Sequence, residues 1–244
     1  MSMYAALASV YDELTRDIDY ASRAKFIDTV FKRNDVKGIV LDAGCGTGAL
    51  TLLLAKRGYD MIGVDASPDM LSVAYKKLDD ANLPVTFLQQ DLCDLDLYGT
   101  VKGIVCMQDT LNHIGPQFEK AMSGFSLFIE HGGILIFDIN TQYKHRHTLA
   151  DNTFEYEFSN GVCVWNNSYD ETNKRVELTV EISTCRAGST LKRTDIFFEY
   201  DIEPHYLEEL LDKYGFKVLK KIDGESYGDI VPESERILYV AKKL

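Results

Sequence analysis

Residues 40–70 read VLDAGCGTGALTLLLAKRGYDMIGVDASPDM, with Asp42 ahead of Gly44, Gly46 and Gly48, and Asp65 17 positions beyond Gly48. Glycines so spaced let the backbone turn sharply and approach a ligand that side chains would obstruct. The helix start beyond them offers free N–H groups to an anion. Asp65 closes the next apolar run, where a carboxylate can accept hydrogen bonds from ribose hydroxyls. Asp42 sets a second carboxylate beside the loop, where it would favour a cationic group. Asp91, in LQQDL, follows a third apolar run and is placed to meet an adenine edge.

Further along, CMQDTLNH carries Asp109, Asn112 and His113, and YKHRH (residues 143–147) is a compact basic cluster in an acidic chain. His113 could serve as a general base or be a structural histidine, and Asp109 could orient an amine or a base. The basic cluster could take a carboxylate or phosphate, or form a solvated hinge. Residues 44–49 also satisfy G-x-G-x-x-A, the dinucleotide fingerprint, so the loop alone leaves a nicotinamide cofactor open. Asp42, Asp91 and the lack of a second mononucleotide-binding half favour an adenosyl ligand that carries an amino acid. Tyr98 and Lys102 match Y-x-x-x-K, but they lie before a strand rather than on a helix, so the match is read as coincidence.

These groups need a frame to hold them. Residues 3–35 read as helical, with Ala24, Phe26, Ile27, Val30 and Phe31 at helical spacing. Near-continuous apolar strands are predicted at 38–42, 61–64, 85–88, 104–107 and 134–140. Helices at 47–57, after Ser67-Pro68 and after Pro116 separate them. Gly132-Gly133 is expected to punctuate the chain before the fifth strand. From 153 to 202 the pattern changes to period two. Val176, Leu178, Val180 and Ile182 alternate with polar residues, Ile196, Phe198, Tyr200 and Ile202 repeat the alternation, and Asn160-Gly161, 170–173 and Gly188-Ser189 are turn signals. A helix at 204–214 and strands at 216–221 and 236–241 follow, the last two as antiparallel neighbours.

The fold class is therefore α/β: a Rossmann-like, doubly wound, mostly parallel seven-stranded sheet with an antiparallel C-terminal hairpin and a small antiparallel β insertion. Residues 1–144 and 203–244 are assigned to the α/β domain and 145–202 to the insertion.

Composition limits what this frame can do. The chain has 244 residues, 45% of them hydrophobic, enough for a packed core. Its net charge of −12 repels phosphate backbones, which disfavours a nucleic-acid partner. Cys45, Cys93, Cys106, Cys163 and Cys185 are scattered and form no C-x-x-C pair, so neither a disulfide framework nor a metal site is expected. With no long apolar run, a soluble, reduced, cytoplasmic protein without a membrane partner is expected.

In this order and spacing, LDAGCGTG, GVDASPDML and QQDL resemble the class I S-adenosylmethionine-dependent methyltransferases. Over nearly the whole chain the resemblance is to small bacterial members with a β insertion before the last helix. It implies S-adenosylmethionine as cofactor. It implies that Asp42, Gly44, Cys45 and Gly46 line the methionine moiety, within the loop that Gly48 completes. Asp65 would hold the ribose, Ala66 and Met70 would pack on adenine, Asp91 with Leu92 would read its amino edge, and Met107 would flank the sulfonium. An N-terminal tyrosine often covers the cofactor in this family. Tyr4 and Tyr11 share a helical face, and Tyr11, followed by Asp12, is the residue chosen as cover. Met70 and Tyr11 also suit ordinary packing.

A sulfonium already makes its methyl group electrophilic. The protein must hold the nucleophile in line, roughly 3 Å from the methyl, and exclude water. A base is needed only if the nucleophile arrives protonated. The switch-point rule places the acceptor at the loop after the fourth strand, which makes Asp109 and His113 the catalytic candidates. The N/D-P-P-Y motif and the Pro-Cys nucleophile of nucleic-acid methyltransferases are absent. Direct in-line transfer to a small-molecule acceptor is the expectation, with a non-catalytic adenosylmethionine-binding module or an NAD-dependent dehydrogenase as alternatives. The insertion is expected to roof the acceptor or, through Trp165 and its exposed edge, to pair a homodimer.

Overall fold

Apolar residues run almost unbroken through the central strands because helices cover both faces of their sheet. The computed structural model describes residues 7–79, 81–186 and 189–244. The main sheet contains β1 (Ile39–Ala43), β2 (Asp60–Asp65), β3 (Val85–Gln89), β4 (Val101–Cys106) and β5 (Ile129–Asn140). A second sheet holds β6 (Thr153–Phe158), β7 (Gly161–Asp170), β8 (Arg175–Arg186) and β9 (Ser189–Tyr200). The chain then returns as β10 (Phe216–Asp223) and β11 (Arg236–Lys243). The helices are α1 (Tyr11–Leu14), α2 (Tyr20–Arg33), α3 (Ala49–Ala55), α4 (Pro68–Asp79), α5 (Thr110–Ile114), α6 (Phe118–Phe128) and α7 (Pro204–Lys213).

The main sheet runs β10-β11-β5-β4-β1-β2-β3. Strands β1 to β5 are parallel, and β11 is antiparallel to both of its neighbours. The second sheet is an antiparallel meander, β6-β7-β8-β9. Both the mostly parallel seven-stranded sheet and the separate four-stranded sheet agree with the expected fold class.

Strand alternation sorts the core into two layers. Leu41, Ala43, Ile104, Cys106, Leu135 and Phe137 face α6 and α7. Val40, Val105, Ile134 and Ile136 face the other way, against Ala24, Ile27 and Phe31 of α2 and Leu50 and Leu54 of α3. Phe31 is fully buried, which is worth roughly 2–3 kcal/mol for a side chain of its kind. By the same alternation Asp42 and Asp138 point toward the α2–α3 side.

Three expectations need correction. The N-terminal segment is not one helix: α1 ends at Leu14, the chain turns through 15–19, and α2 starts afresh with Asp19 as its cap, accepting from the Ser22 N–H at 2.9 Å. Asp19, Asp17 and Thr15 are residues whose side chains compete for local backbone groups, and this favours a break over continuation. Tyr4 lies outside the described residues, as does Gly188 in the third turn. Secondly, Gly132-Gly133 does not separate α6 from the fifth strand. Both glycines lie inside β5, opposite a register shift in β4 between Val101 and Gly103.

The third correction matters most for function. In β9 the inward residues are Phe197 and Glu199, while Ile196 is 52% exposed. The register explains this. Leu178 pairs with Phe197 and Val176 with Glu199, so these share the buried face of β8, whereas Ile196 pairs with Thr179 on the other face.

Candidate active site

The glycine loop joins β1 to α3. Gly44 has φ of +79°, and a Cβ there would lie 2.6 Å from the Thr110 side chain, so no other residue fits. A Cβ on Gly46 would meet no protein atom within 4 Å, because Gly46 borders a cavity of about 700 Å³. The Asp65 carboxylate braces the loop, accepting from the Gly46 and Ser67 N–H groups at 2.8 Å each. Burial raises its pKa, partly offset by those two bonds.

The cavity opens at the C-terminal ends of the parallel strands, where the switch-point rule places ligands. Of the residues singled out above, Tyr11, Gly44, Gly46, Asp65, Ala66 and Met70 line it. So do Asp91, Leu92, Asp109 and His113. Asp91 caps the short turn that follows it, accepting from the Cys93 N–H at 2.8 Å. Tyr11 is half-buried and packs against the cluster that includes Leu7, Val10, Met70 and Leu178. Its neighbour Asp12 accepts from Thr47 Oγ1 at 2.6 Å and pairs with Lys77 at 2.6 Å, tying α1 to the glycine loop and α4. Glu13 reaches the opposite way, accepting from the Ser159 N–H at 2.9 Å on the insertion.

Four of the residues expected to hold the cofactor do not line the cavity. Asp42 lies beneath the loop, where its carboxylate accepts from Thr51 Oγ1 at 2.6 Å and burial pushes its pKa up to about 7. Alternation along β1 turns it toward α3 rather than toward a ligand. Cys45 packs with Leu71, Ala74 and Phe87, and burial holds its thiol well above the usual range. Gly48 is the left-handed start of α3, against the Phe87 ring. Met107 packs into the α2–α3 core layer. Asn112 is also structural: buried, it accepts from the Asn140 N–H at 2.9 Å and donates to the Tyr200 carbonyl at 2.9 Å.

At the far end of the cavity a chain of alternating charges crosses between the two sheets. Asp201 accepts from His145 Nδ1 at 2.6 Å, and His145 Nε2 lies 3.1 Å from Glu199. Glu199 Oε1 lies 3.8 Å from His113 Nε2, which lies 3.4 Å from Asp109 Oδ2. Arg236 bridges Asp109 at 2.7 Å and Asp138 at 3.0 Å, and Arg23 reaches Asp138 at 3.3 Å. His113 Nδ1 is 3.1 Å from the Phe198 carbonyl, which can only accept, so Nδ1 carries a hydrogen and Nε2 faces the two carboxylates.

The ionisations follow from this arrangement. Burial raises the Asp109 carboxyl, but Arg236 and His113 outweigh it and hold it well below the usual range. Burial opposes a charged His113, yet Asp109 and Glu199 raise it above its ordinary value. Burial likewise opposes a charged His145, which Asp201 and Glu199 push up to about 9. Burial and Asp109 raise Glu199, and the two histidines bring it below its ordinary value. Asp109, His113 and Glu199 converge closely enough to hold a cation, with ligand atoms within 4.8 Å of one another. With a proton on His113, the network sets Asp109, Asp138, Glu199, Asp201 and Glu225 against Arg23, Arg236, His145 and His113.

Asp138 anchors the loop that carries Asp109. It is fully buried and accepts from the Gln108 and Asp109 N–H groups at 3.2 and 2.7 Å. Both of those residues hold left-handed backbones, at φ of +61° and +52°. Strained conformations of this sort persist only where neighbours enforce them.

Sequence reasoning missed Asp138, Glu199 and Arg236. A charge in the middle of ILIFDIN was a readable signal for Asp138. For Glu199 the wrong register hid it, and nothing local marked Arg236. The basic cluster divides: Lys144 lines the cavity, His145 is buried, Arg146 pairs with Glu171 at 3.2 Å, and His147 packs on Tyr143. Tyr98 is fully exposed, far from any catalytic role.

Comparison with known proteins agrees with this geometry. A family model described as a methyltransferase domain matches residues 40–133. YqeM of Bacillus subtilis (strain 168), described as a candidate methyltransferase, is 29% identical over 99% of this chain and 97% of its own length. A Streptomyces venezuelae enzyme named dTDP-3-amino-3,4,6-trideoxy-alpha-D-glucopyranose N,N-dimethyltransferase is 34% identical, over 53% of this chain and 55% of its own. Among solved structures, an S-adenosylmethionine-dependent methyltransferase from Clostridium acetobutylicum superposes with a TM-score of 0.88 at 28% identity, covering 98% of both chains. The sheet order, the glycine loop and these likenesses together support a class I S-adenosylmethionine-dependent methyltransferase, an enzyme whose methyl donor is S-adenosylmethionine. Among the described residues no helix is long and apolar enough to cross a membrane.

Proposed function

We propose that the chain transfers a methyl group directly, in line, from S-adenosylmethionine to a small-molecule acceptor held beneath the insertion. The observation that carries this reading is that the braced glycine loop and the Asp109–His113–Glu199 group border one cavity. A volume of about 700 Å³ suits a cofactor together with a small acceptor.

Gly44, Gly46 and Asp65 would hold the methionine and ribose parts, Ala66 and Met70 the adenine faces, and Asp91 and Leu92 its edge. The bound sulfonium supplies an electrophilic methyl group. Tyr11 and the segment around it cover the cofactor end and keep water out, pinned by Asp12 and Glu13 to both sides of the site. The inner face of the insertion supplies Phe154, Tyr156, Trp165 and Phe197 as an apolar wall, which supports the roof role over a pairing surface. His113 Nε2 is the proton-accepting atom, oriented by the Phe198 carbonyl; Asp109 and Glu199 stabilise the imidazolium. Relatives named for glycine and sarcosine, or for an aminodeoxy sugar nucleotide, support an acceptor of small-molecule size.

The test is a metabolite-library screen for adenosylhomocysteine release, paired with calorimetric titration of S-adenosylmethionine. Binding together with turnover on at least one small acceptor is expected. Binding without turnover would favour a non-catalytic binding module, and NADH binding without S-adenosylmethionine binding would sink the assignment.

A further inference from the structure

We propose that the acceptor is a primary or secondary amine, delivered as its ammonium to the space between His113 Nε2, Asp109 and Glu199; the proposal rests on the methyltransferase reading above. Four features of the cavity converge on nitrogen.

The first is the pair of oxygens that flank the accepting atom. Asp109 Oδ2 and Glu199 Oε1 lie 3.4 and 3.8 Å from His113 Nε2. Arg236 is engaged by the other oxygen of Asp109, and Lys144 donates to Asn140 Oδ1 at 3.1 Å. A phenolate, thiolate or carboxylate nucleophile would therefore meet two carboxylates, whereas an ammonium is drawn to them.

The second is base strength. An alkyl hydroxyl gives up its proton only many pH units above imidazole's ordinary ~6.5. An alkylammonium, like that of lysine at ~10.4, lies only about four units above.

The third is the count of protons. With His113 neutral, the five carboxylates of the network face only Arg23, Arg236 and His145, so a proton on His113 or an ammonium on the acceptor can supply positive charge at this point. The ammonium therefore enters when His113 is neutral and gives its proton to Nε2. The freed nitrogen lone pair then forms the N–CH3 bond while the S–CH3 bond breaks, its electron pair staying on sulfur. The products are a methylammonium, adenosylhomocysteine and an imidazolium. The His113 side chain is 26% exposed, so its proton can pass to solvent before the next turnover.

The fourth is the wall. Asn167 Oδ1 and Gln108 Oε1 belong to cavity-lining residues and are buried without a hydrogen-bond partner. Both are acceptors, so both ask for N–H or O–H groups on a ligand. Trp165 Nε1 is a buried donor without a partner and asks for one acceptor on the same molecule. The rings of Phe154, Tyr156, Trp165 and Phe197 suit a cationic substrate and its methylated product.

Trp165 is the chain's single tryptophan, so intrinsic fluorescence reads this wall directly. Benzylamine, benzyl alcohol and benzoate share one body and differ in charge at the reacting end. Each is titrated at pH 7.5 into protein saturated with adenosylhomocysteine. Benzylamine is expected to bind at least about tenfold more tightly than the other two. Glu199→Gln should shrink that preference to about threefold or less, as expected on losing one flanking charge. Equal affinities, tighter binding of the alcohol or benzoate, or no response to any of the three overturns the amine assignment. So does a preference that survives in a folded Glu199→Gln protein; if that variant melts early, the wild-type ranking decides alone. Calorimetric titration of S-adenosylmethionine separates the two readings. If the cofactor fails to bind, the methyltransferase reading falls; if it binds and the ranking is wrong, only the amine falls.

Discussion

Asp138→Asn removes one charge while keeping the shape of the side chain, and its effect can be worked out from the contacts. The Asp138 oxygens receive four donors: the Gln108 and Asp109 N–H groups, Arg23 and Arg236. In the variant an NH2 group must face some of these donors. Breaking a buried ion pair by removing one partner costs about 3–5 kcal/mol. Arg236 keeps Asp109 and Glu225, whereas Arg23 keeps only a 3.5 Å contact to Glu225, whose side chain is 57% exposed. The loss falls mainly on Arg23, so one pair rather than two sets the scale. At about 2–3 °C per kcal/mol for a chain of this length, Tm should fall by about 6–15 °C. Activity should fall further, because the left-handed backbones of Gln108 and Asp109 lose the anchor that enforces them. Differential scanning calorimetry and adenosylhomocysteine release on the same preparation measure both. A Tm within 2 °C of wild type with unchanged turnover would refute the anchoring role.

Other consequences can be checked as directly. Asp65→Ala should weaken S-adenosylmethionine binding about 100-fold by calorimetry, since it removes charged hydrogen bonds worth about 1.5–3 kcal/mol each and frees the Gly46 loop. Because Asp109 and Glu199 raise His113, and the base works deprotonated, kcat/KM should climb with pH through a midpoint above the ordinary imidazole value; Glu199→Gln should move that midpoint down, and a flat profile would remove His113 as the base. His145 titrates near 9 folded and ~6.5 unfolded, so its stabilising effect is complete below pH 6.5 and is lost as pH rises through 9, a decline of roughly 3 kcal/mol. Urea unfolding across that window should show the slope, and His145→Gln should flatten it.

What could be read from residues alone was whatever depends on local pattern. The run of apolar strands, the glycine turn and Asp65 at a strand end all come from short-range chemistry, and the structure places them accordingly. Asp42 shows the limit of that reading. Its type suggested a ligand contact, but the side of a strand on which a residue falls is fixed by what packs there, and Thr51 of α3 packs there. Glu199 shows the limit again. Both faces of FFEY carry aromatic residues, so only the pairing of Val176 with Glu199 decides which face turns inward. Arg236 meets Asp109 and Asp138 from the far end of the chain, a convergence that no spacing rule encodes.

The bond network between the two sheets bears on how such an enzyme can change its substrate. Glu199 and Asp201 come from the inserted segment and its exit, yet their partner His145 belongs to the turn after β5. Asn112 and Asn140 seal the same junction. Exchanging the segment from β6 to residue 202 for another sequence, with the turn after β5 kept, would leave His145 charged and buried with no counter-ion, a fault that destabilises the parent sheet rather than the graft. New specificity should therefore arise by drift in the wall residues, with 199 and 201 held in place. A recombination library crossing over inside β9, after residue 198, should yield more folded chimaeras than one crossing over beyond residue 202 that replaces both acids.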